Sequence, residues 1–164
     1  MTTPKLLPST DYLRDRFSYD PDTGILLWRS GPQAGKPAGC IHKSGYHVVT
    51  IGASQYSAQR IIWKMMTDEE PPSIVDHKNR NKLDQRWINL REATYVQSSM
   101  NRGKHKNNTS GATGVFWYRE GWHATIYKEG VQHYLGRFNT FEEAVALRRA
   151  KVAEMFGEFY SEDD

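Results

Sequence analysis

Residues 74–94 read IVDHKNRNKLDQRWINLREAT. The first apolar pair is typical of the end of a short strand, and an acid and an imidazole follow it at once, at Asp76 and His77. A polar, basic loop then occupies 78–85, and Asn89 precedes a segment that is compatible with a helix. Because the stretch places chemically capable side chains where a strand meets a loop, it decides how the rest of the chain is interpreted.

Three side chains of this stretch have a defined chemical capacity. The Asp76 carboxylate offers a hard oxygen ligand to a divalent cation such as Mg²⁺. His77 can take a proton from water near neutral pH, and the uncharged amide of Asn89 can hold His77 in one orientation. Taken alone, an Asp-His pair beside a strand end is more often a capped turn than a reactive site, so the pair needs its context.

Positive charge is concentrated in the middle of the chain. The 164 residues include 22 Lys and Arg against 19 Asp and Glu, a net charge of +3. Between residues 77 and 106, however, eight basic residues face two acidic ones, a net +6. This distribution predicts a nucleic-acid partner. The cations that we expect to contact phosphates are Lys78, Arg80, Lys82, Arg86, Arg91, Arg102, Lys104 and Lys106.

The stretch also resembles a known motif. Asp76-His77 with residues 79–84 and 89–94 is similar to the HNH, or ββα-metal, nuclease motif of phage and intron-encoded homing endonucleases. The resemblance implies that Asp76 binds the metal and that His77 is the general base. It also implies that Asn89, twelve positions after His77, orients the imidazole.

The third metal ligand is where the chain departs from that motif. Relatives carry an Asn or His about nine positions past the middle Asn, and this chain has Ser98 there, a weaker ligand. Asn101 lies one helical turn further on and could share the same face. Three functions therefore stay open: a metal-dependent endonuclease using Mg²⁺ or Mn²⁺, a DNA-binding, regulatory protein whose nuclease site has decayed at Ser98, and a protein-interaction module that does not bind DNA.

The C-terminal third predicts three strands and a helix. The strands are expected at 114–119, 122–127 and 132–138, followed by a helix capped by Thr140. This pattern resembles the Apetala-two/ethylene-response-factor DNA-binding domain, which lays its sheet in the major groove. The plant domain reads bases with Arg and Trp, which the open face of this sheet lacks. The residues predicted on that face to contact DNA are Phe116, Tyr118, His123, Thr125, Tyr127, Gln132 and Tyr134.

The N-terminal region predicts a small, β-rich extension. We expect a helix at 11–17, a strand at 25–28, a hairpin within 40–51 and a second helix from 56 to 66. Its segments Gly45-Tyr46 and 60–63 resemble those that precede the nuclease motif in similar phage proteins.

These expectations define an α+β chain in three parts. They are an N-terminal extension with an HNH nuclease domain at 1–100, a basic linker at 101–110, and a three-stranded antiparallel sheet packed on one α-helix at 111–160. The single cysteine, Cys40, excludes an intrachain disulfide and a multi-Cys zinc site, so no structural zinc is expected. No signal peptide or membrane-spanning run is apparent, which predicts a cytoplasmic, unsecreted protein with no membrane partner. We expect it to act as a monomer on double-stranded DNA, without a small-molecule cofactor.

Overall fold

The protein divides at the end of the stretch 74–94. The computed structural model describes residues 5–101, 108–128 and 130–157, which fold as two units that meet in the chain between Thr94 and Tyr95. The predicted linker, 101–110, falls largely outside the described residues and stays a prediction. No helix in the described part of the chain is long and apolar enough to cross a bilayer.

The first unit combines two helices with short antiparallel pairs of strands. The elements are α1 (Thr10–Arg16), β1 (Phe17–Tyr19), β2 (Leu26–Trp28), β3 (Cys40–Ile41), β4 (His47–Ile51), β5 (Ser54–Ser57), α2 (Ala58–Thr67), β6 (Ile74–His77), a 3₁₀ turn (Trp87–Asn89) and β7 (Leu90–Ala93). Strands β1 and β2 form one pair, β3-β4-β5 form a three-stranded sheet, and β6 pairs with β7.

Helix α2 supplies the centre of this unit. Its apolar residues Ile61 and Ile62 are fully buried and pack with Leu13 of α1 and Phe17 of β1. Burying such side chains contributes about 1.5–3 kcal/mol each. Because α2 is followed by β6, this core fixes the strand that carries Asp76 and His77.

Residues 90–93 differ from the sequence-based expectation. The segment after Asn89 is compatible with a helix, whereas the structure has strand β7 there and a helix, α3 (Tyr95–Met100), only after it. The strand pairs antiparallel with β6, with His77 opposite Leu90 and Ile74 opposite Ala93. The pairing satisfies backbone groups of β6 that a helix would leave without partners.

The second unit has the predicted sheet and helix. Strands β8 (Val115–Tyr118), β9 (Gly121–Lys128) and β10 (Val131–Phe138) form an antiparallel sheet in the order β10-β9-β8. Helix α4 (Phe141–Phe156) begins with a capping box between Thr140 and Glu143. Its Ala144 packs with Val115 and Ala124 in a small core.

Gly24 marks a close approach between the N-terminal extension and the loop at 78–86. Its φ is +73°, and a Cβ there would lie 2.5 Å from the Arg86 N and 2.7 Å from the carbonyl carbon of Gln85. We expect Gly24→Ala to lower the free energy of unfolding by more than the roughly 1–2 kcal/mol that left-handed backbone costs an L-residue. The control is Gly52→Ala, where φ is +59° and no atom lies within 4 Å of the new methyl group. Equal losses for both variants in thermal unfolding would contradict this packing.

Candidate active site

The candidate site is built around the end of β6. Asp76 lies opposite Arg91 in the strand register. Two guanidinium nitrogens of Arg91, Nε and Nη2, each donate to Asp76 Oδ2 at 3.2 Å. The two side chains are only 12% and 9% exposed, so this is a largely buried ion pair. Arg91 is thus engaged by Asp76, and its predicted phosphate contact stays a prediction.

The Asn-rich loop after β6 is shaped by its own side chains. Asn79 Oδ1 accepts from the Asn81 N at 2.9 Å, and Asn81 Oδ1 accepts from the Leu83 N at 3.1 Å. Asp84 Oδ1 accepts from the Arg86 N at 3.3 Å. Short polar side chains that bind the backbone two residues on replace regular secondary structure. The abundance of Asn in this loop therefore has a conformational cause.

Asn89 closes the loop from its far end. Its side chain is buried; Oδ1 accepts from the Asn79 N at 3.0 Å and Nδ2 donates to the Asp84 O at 2.8 Å. The backbone adds a bond from the Lys78 N to the Asn89 O at 2.9 Å. Asn89 thus holds the backbone that directly follows His77, and any orienting effect on the imidazole acts through the loop.

His77 is more enclosed than a side chain open to substrate would be, at 4% exposed. Burial lowers the pKa of His77, because the imidazolium ion is poorly solvated there, and the charge of Lys82 acts in the same direction. The Gln85 side chain and the charges of Asp76 and Asp84 oppose the shift. The balance favours the neutral ring at neutral pH, the form that accepts a proton.

The loop cations are not equally available to phosphates. Arg86 is engaged by Asp84 through two bonds of 2.8 and 2.6 Å, and this pairing holds the pKa of the Asp84 carboxyl well below its usual range. Lys78 is exposed and Arg80 is partly exposed. Lys82 Nζ lies 4.2 Å from the centroid of the Tyr46 ring. Of the remaining predicted cations, Arg102, Lys104 and Lys106 lie outside the described residues.

Three residues near His77 were not identified from the sequence. Gln85 is 2% exposed, and its Nε2 donates to the Lys82 O at 2.8 Å. Tyr19 Oη donates to the Gln85 O at 2.7 Å, and burial with nearby carboxylates raises the pKa of Tyr19 to about 12, so the donor keeps its proton. The Tyr46 ring lies 6.4 Å from the His77 ring, centroid to centroid. The motif at 45–46 was the signal for Tyr46, whereas the burial of Gln85 in a polar loop left none.

The Asp76 carboxylate has the donor chemistry that a hard divalent cation requires, and it already lies beside a positive group. The predicted co-ligands Ser98 and Asn101 belong to the second unit, Ser98 in helix α3 and Asn101 directly after it. Across the described residues, His, Cys, Asp and Glu form no group of three or more suited to a metal. Within the part of the chain that the structure describes, a metal at Asp76 would therefore depend on neutral ligands and water.

The open face of the C-terminal sheet carries an aromatic cluster. His123 Nδ1 lies 2.9 Å from Tyr134 Oη, and the imidazole stacks on Phe116 with the ring centroids 5.7 Å apart. Tyr118 packs edge-on against the same imidazole. Tyr127 and Gln132 are exposed as predicted, while Thr125 is buried because the backbone of Gly114 lies against it, with the Thr125 N donating to the Gly114 O at 2.8 Å.

Comparison with known proteins identifies the family of the segment that carries the candidate site. A family model described as HNH endonuclease matches residues 56–100, which contain β6, the loop, β7 and α3. An uncharacterized HNH endonuclease of Acanthamoeba polyphaga mimivirus is 33% identical over 122 residues, 73% of this chain and 63% of that protein. Protein 3.8 of Escherichia phage T7 is 32% identical over 101 residues, 60% of this chain and 83% of that protein.

Residues 56–100 are an HNH endonuclease domain. The chain spans about 63% of the length of the mimivirus relative. The prediction of an HNH-type nuclease domain is thereby confirmed for these residues. The match ends at residue 100, so the C-terminal sheet and helix are not part of the HNH endonuclease match. No solved structure matches the chain.

Proposed function

We propose that the protein is a metal-dependent endonuclease, of the homing type, that hydrolyses phosphodiester bonds in double-stranded DNA. The observation that carries the proposal is the buried imidazole of His77 next to Asp76 at the start of a loop that Asn89 holds in place. In this proposal His77 takes a proton from the attacking water. General bases of this kind contribute about 10²–10⁴-fold to a rate.

Asp76, with Ser98 and Asn101, is proposed to hold the divalent cation, Mg²⁺ or Mn²⁺. When bound, such a cation would stabilise negative charge on the phosphate and on the leaving oxygen. The chain's own contribution is to hold the Asp76 carboxylate in place through the two hydrogen bonds that the guanidinium of Arg91 donates to it.

The C-terminal unit is proposed to place the enzyme on the duplex, as its resemblance to the ethylene-response-factor domain suggests. Its exposed aromatic residues Phe116, Tyr118 and Tyr134 can pack against DNA, but they offer few charged donors for reading base edges. Exposed Lys78 adds a phosphate contact of the sequence-independent kind. Affinity is therefore expected to fall steeply with salt.

A second candidate is a DNA-binding protein with an inactive HNH site. Two observations favour it: His77 is only 4% exposed, and the Asp76 carboxylate is already paired with Arg91. The endonuclease proposal therefore requires that DNA or metal binding opens the site to water and phosphate.

Metal removal separates the two candidates. We expect the protein to relax or linearise supercoiled plasmid in Mg²⁺ or Mn²⁺ and to leave it intact when EDTA is in excess, because the cation stabilises the transition-state charge. Gel electrophoresis measures the products, and relaxed circles appearing before linear DNA would indicate one strand cut per event. Plasmid that stays supercoiled with every metal, while a gel shift still shows binding, would favour the second candidate.

A further inference from the structure

One aromatic side chain contacts both the proposed general base and a loop cation. The Tyr46 ring lies 6.4 Å from the His77 ring, centroid to centroid, and Lys82 Nζ lies 4.2 Å from the centroid of Tyr46. Lys82 Nζ also donates to the Ser44 O at 3.0 Å. The hairpin that carries Ser44 and Tyr46 therefore fixes where the Lys82 ammonium lies.

The two residues on this side of His77 reach solvent. His77 is buried, whereas Tyr46 and Lys82 are both partly exposed. An ammonium group has three donors, and the Ser44 O takes one of them. A phosphate that approaches His77 past Tyr46 would meet the other two.

Lys82 differs from the neighbouring guanidinium groups in the charge of its partners. Arg86 is paired with the Asp84 carboxylate and Arg91 with the Asp76 carboxylate. The partners of Lys82 are a ring and a backbone carbonyl, neither of which carries a full negative charge. Among the described residues no carboxylate is ion-paired with Lys82, so its positive charge, held against the ring that neighbours His77, suits an anionic substrate.

Resting on the function proposed above, we propose that Lys82 contacts the scissile phosphate and stabilises the charge that develops on it, and that Tyr46 positions Lys82 for that contact. Tyr46 lies outside residues 56–100, which the HNH endonuclease model matches. The N-terminal extension is thus part of the active site, since it holds a group that the HNH loop supplies.

The first measurement is the single-turnover rate of cutting a saturating DNA duplex. Lys82→Gln is expected to lower this rate by about 10²-fold, as loss of one transition-state donor does, with little change in the duplex Kd. Lys36→Gln removes the same charge from an exposed loop of the same unit and is expected to match the wild type. Lys82→Arg, which keeps the charge and can still stack on the ring, is expected to recover part of the rate.

The second measurement is a double-mutant cycle between Tyr46 and Lys82. Tyr46→Leu is expected to slow cutting about as much as Lys82→Gln does, Tyr46→Phe to keep most of the rate, and the double variant to be no slower than either single one. In NMR spectra, ring-current shifts of the Lys82 methylene protons should be present in the wild type and absent in Tyr46→Leu. Thermal unfolding checks that each variant is folded.

The outcomes separate this inference from the proposed function. An active wild type whose rate is unchanged by Lys82→Gln overturns the role of Lys82 and leaves the endonuclease proposal standing. Additive effects of Tyr46→Leu and Lys82→Gln overturn the positioning role of Tyr46. A wild type that binds DNA but cuts none overturns both proposals.

Discussion

Replacing His77 with alanine is expected to lower the rate of DNA cutting by about 10²–10⁴-fold, the range that a general base supplies. The imidazole is the group that the site keeps neutral, because burial lowers the pKa of His77. The substitution leaves the backbone pairing of β6 with β7 intact. The Kd for duplex DNA should therefore stay close to the wild-type value. Single-turnover cutting and a gel shift measure the two quantities on the same preparation.

His133→Ala is the matched control for this substitution. His133 lies in β10 with its side chain exposed, and it has no part in the proposed chemistry. The control should cut at the wild-type rate. Cutting by His77→Ala at that same rate would mean that another group, or water alone, removes the proton.

Removing the Asp76 carboxylate is expected to affect stability and activity together. In Asp76→Ala the Arg91 guanidinium stays buried without its carboxylate, and breaking such a pair costs about 3–5 kcal/mol. Replacing both members, in Asp76→Ala/Arg91→Met, should recover much of that stability because no buried charge is left. Cutting should stay absent in both variants, since the proposed metal ligand is missing from each.

Metal-dependent stability gives this prediction a readout other than cutting. Arg91→Met leaves the Asp76 carboxylate without its positive partner, so Mn²⁺ should raise the melting temperature of this variant more than that of the wild type. Asp76→Ala should gain nothing from Mn²⁺ at this site. An equal response of both variants would contradict a cation-binding role for Asp76.

The C-terminal unit shows how much a sequence can predict when each signal is local. The strands β8 to β10 follow from alternation between Gly-containing turns, and α4 follows from the Thr140–Glu143 capping box. Thr125 was predicted on the open face of the sheet, but its side chain is buried because the backbone of Gly114 packs against it. Strand alternation contains no information about that contact. Packing by a distant segment is the information that periodicity lacks.

The candidate site was harder to predict for the same reason. Asp76, His77 and Asn89 stand out by residue type and spacing, and the structure brings them to one hairpin and its loop. The pairing of Arg91 with Asp76 depends on a strand register that a helix-compatible segment does not suggest. Tyr46 contacts His77 although 31 residues separate them in the chain. Gln85 is buried although it belongs to a polar loop.

The way Asn89 closes its loop has a consequence for how such enzymes diversify. The loop is held at Asn79 and Asp84 by bonds to one buried amide, and those bonds use backbone atoms of the loop. The exposed side chain of Leu83 takes no part in those bonds, so it can be replaced without disturbing them. A substitution at that position can therefore change what the loop contacts while Asn89 keeps the loop backbone in place.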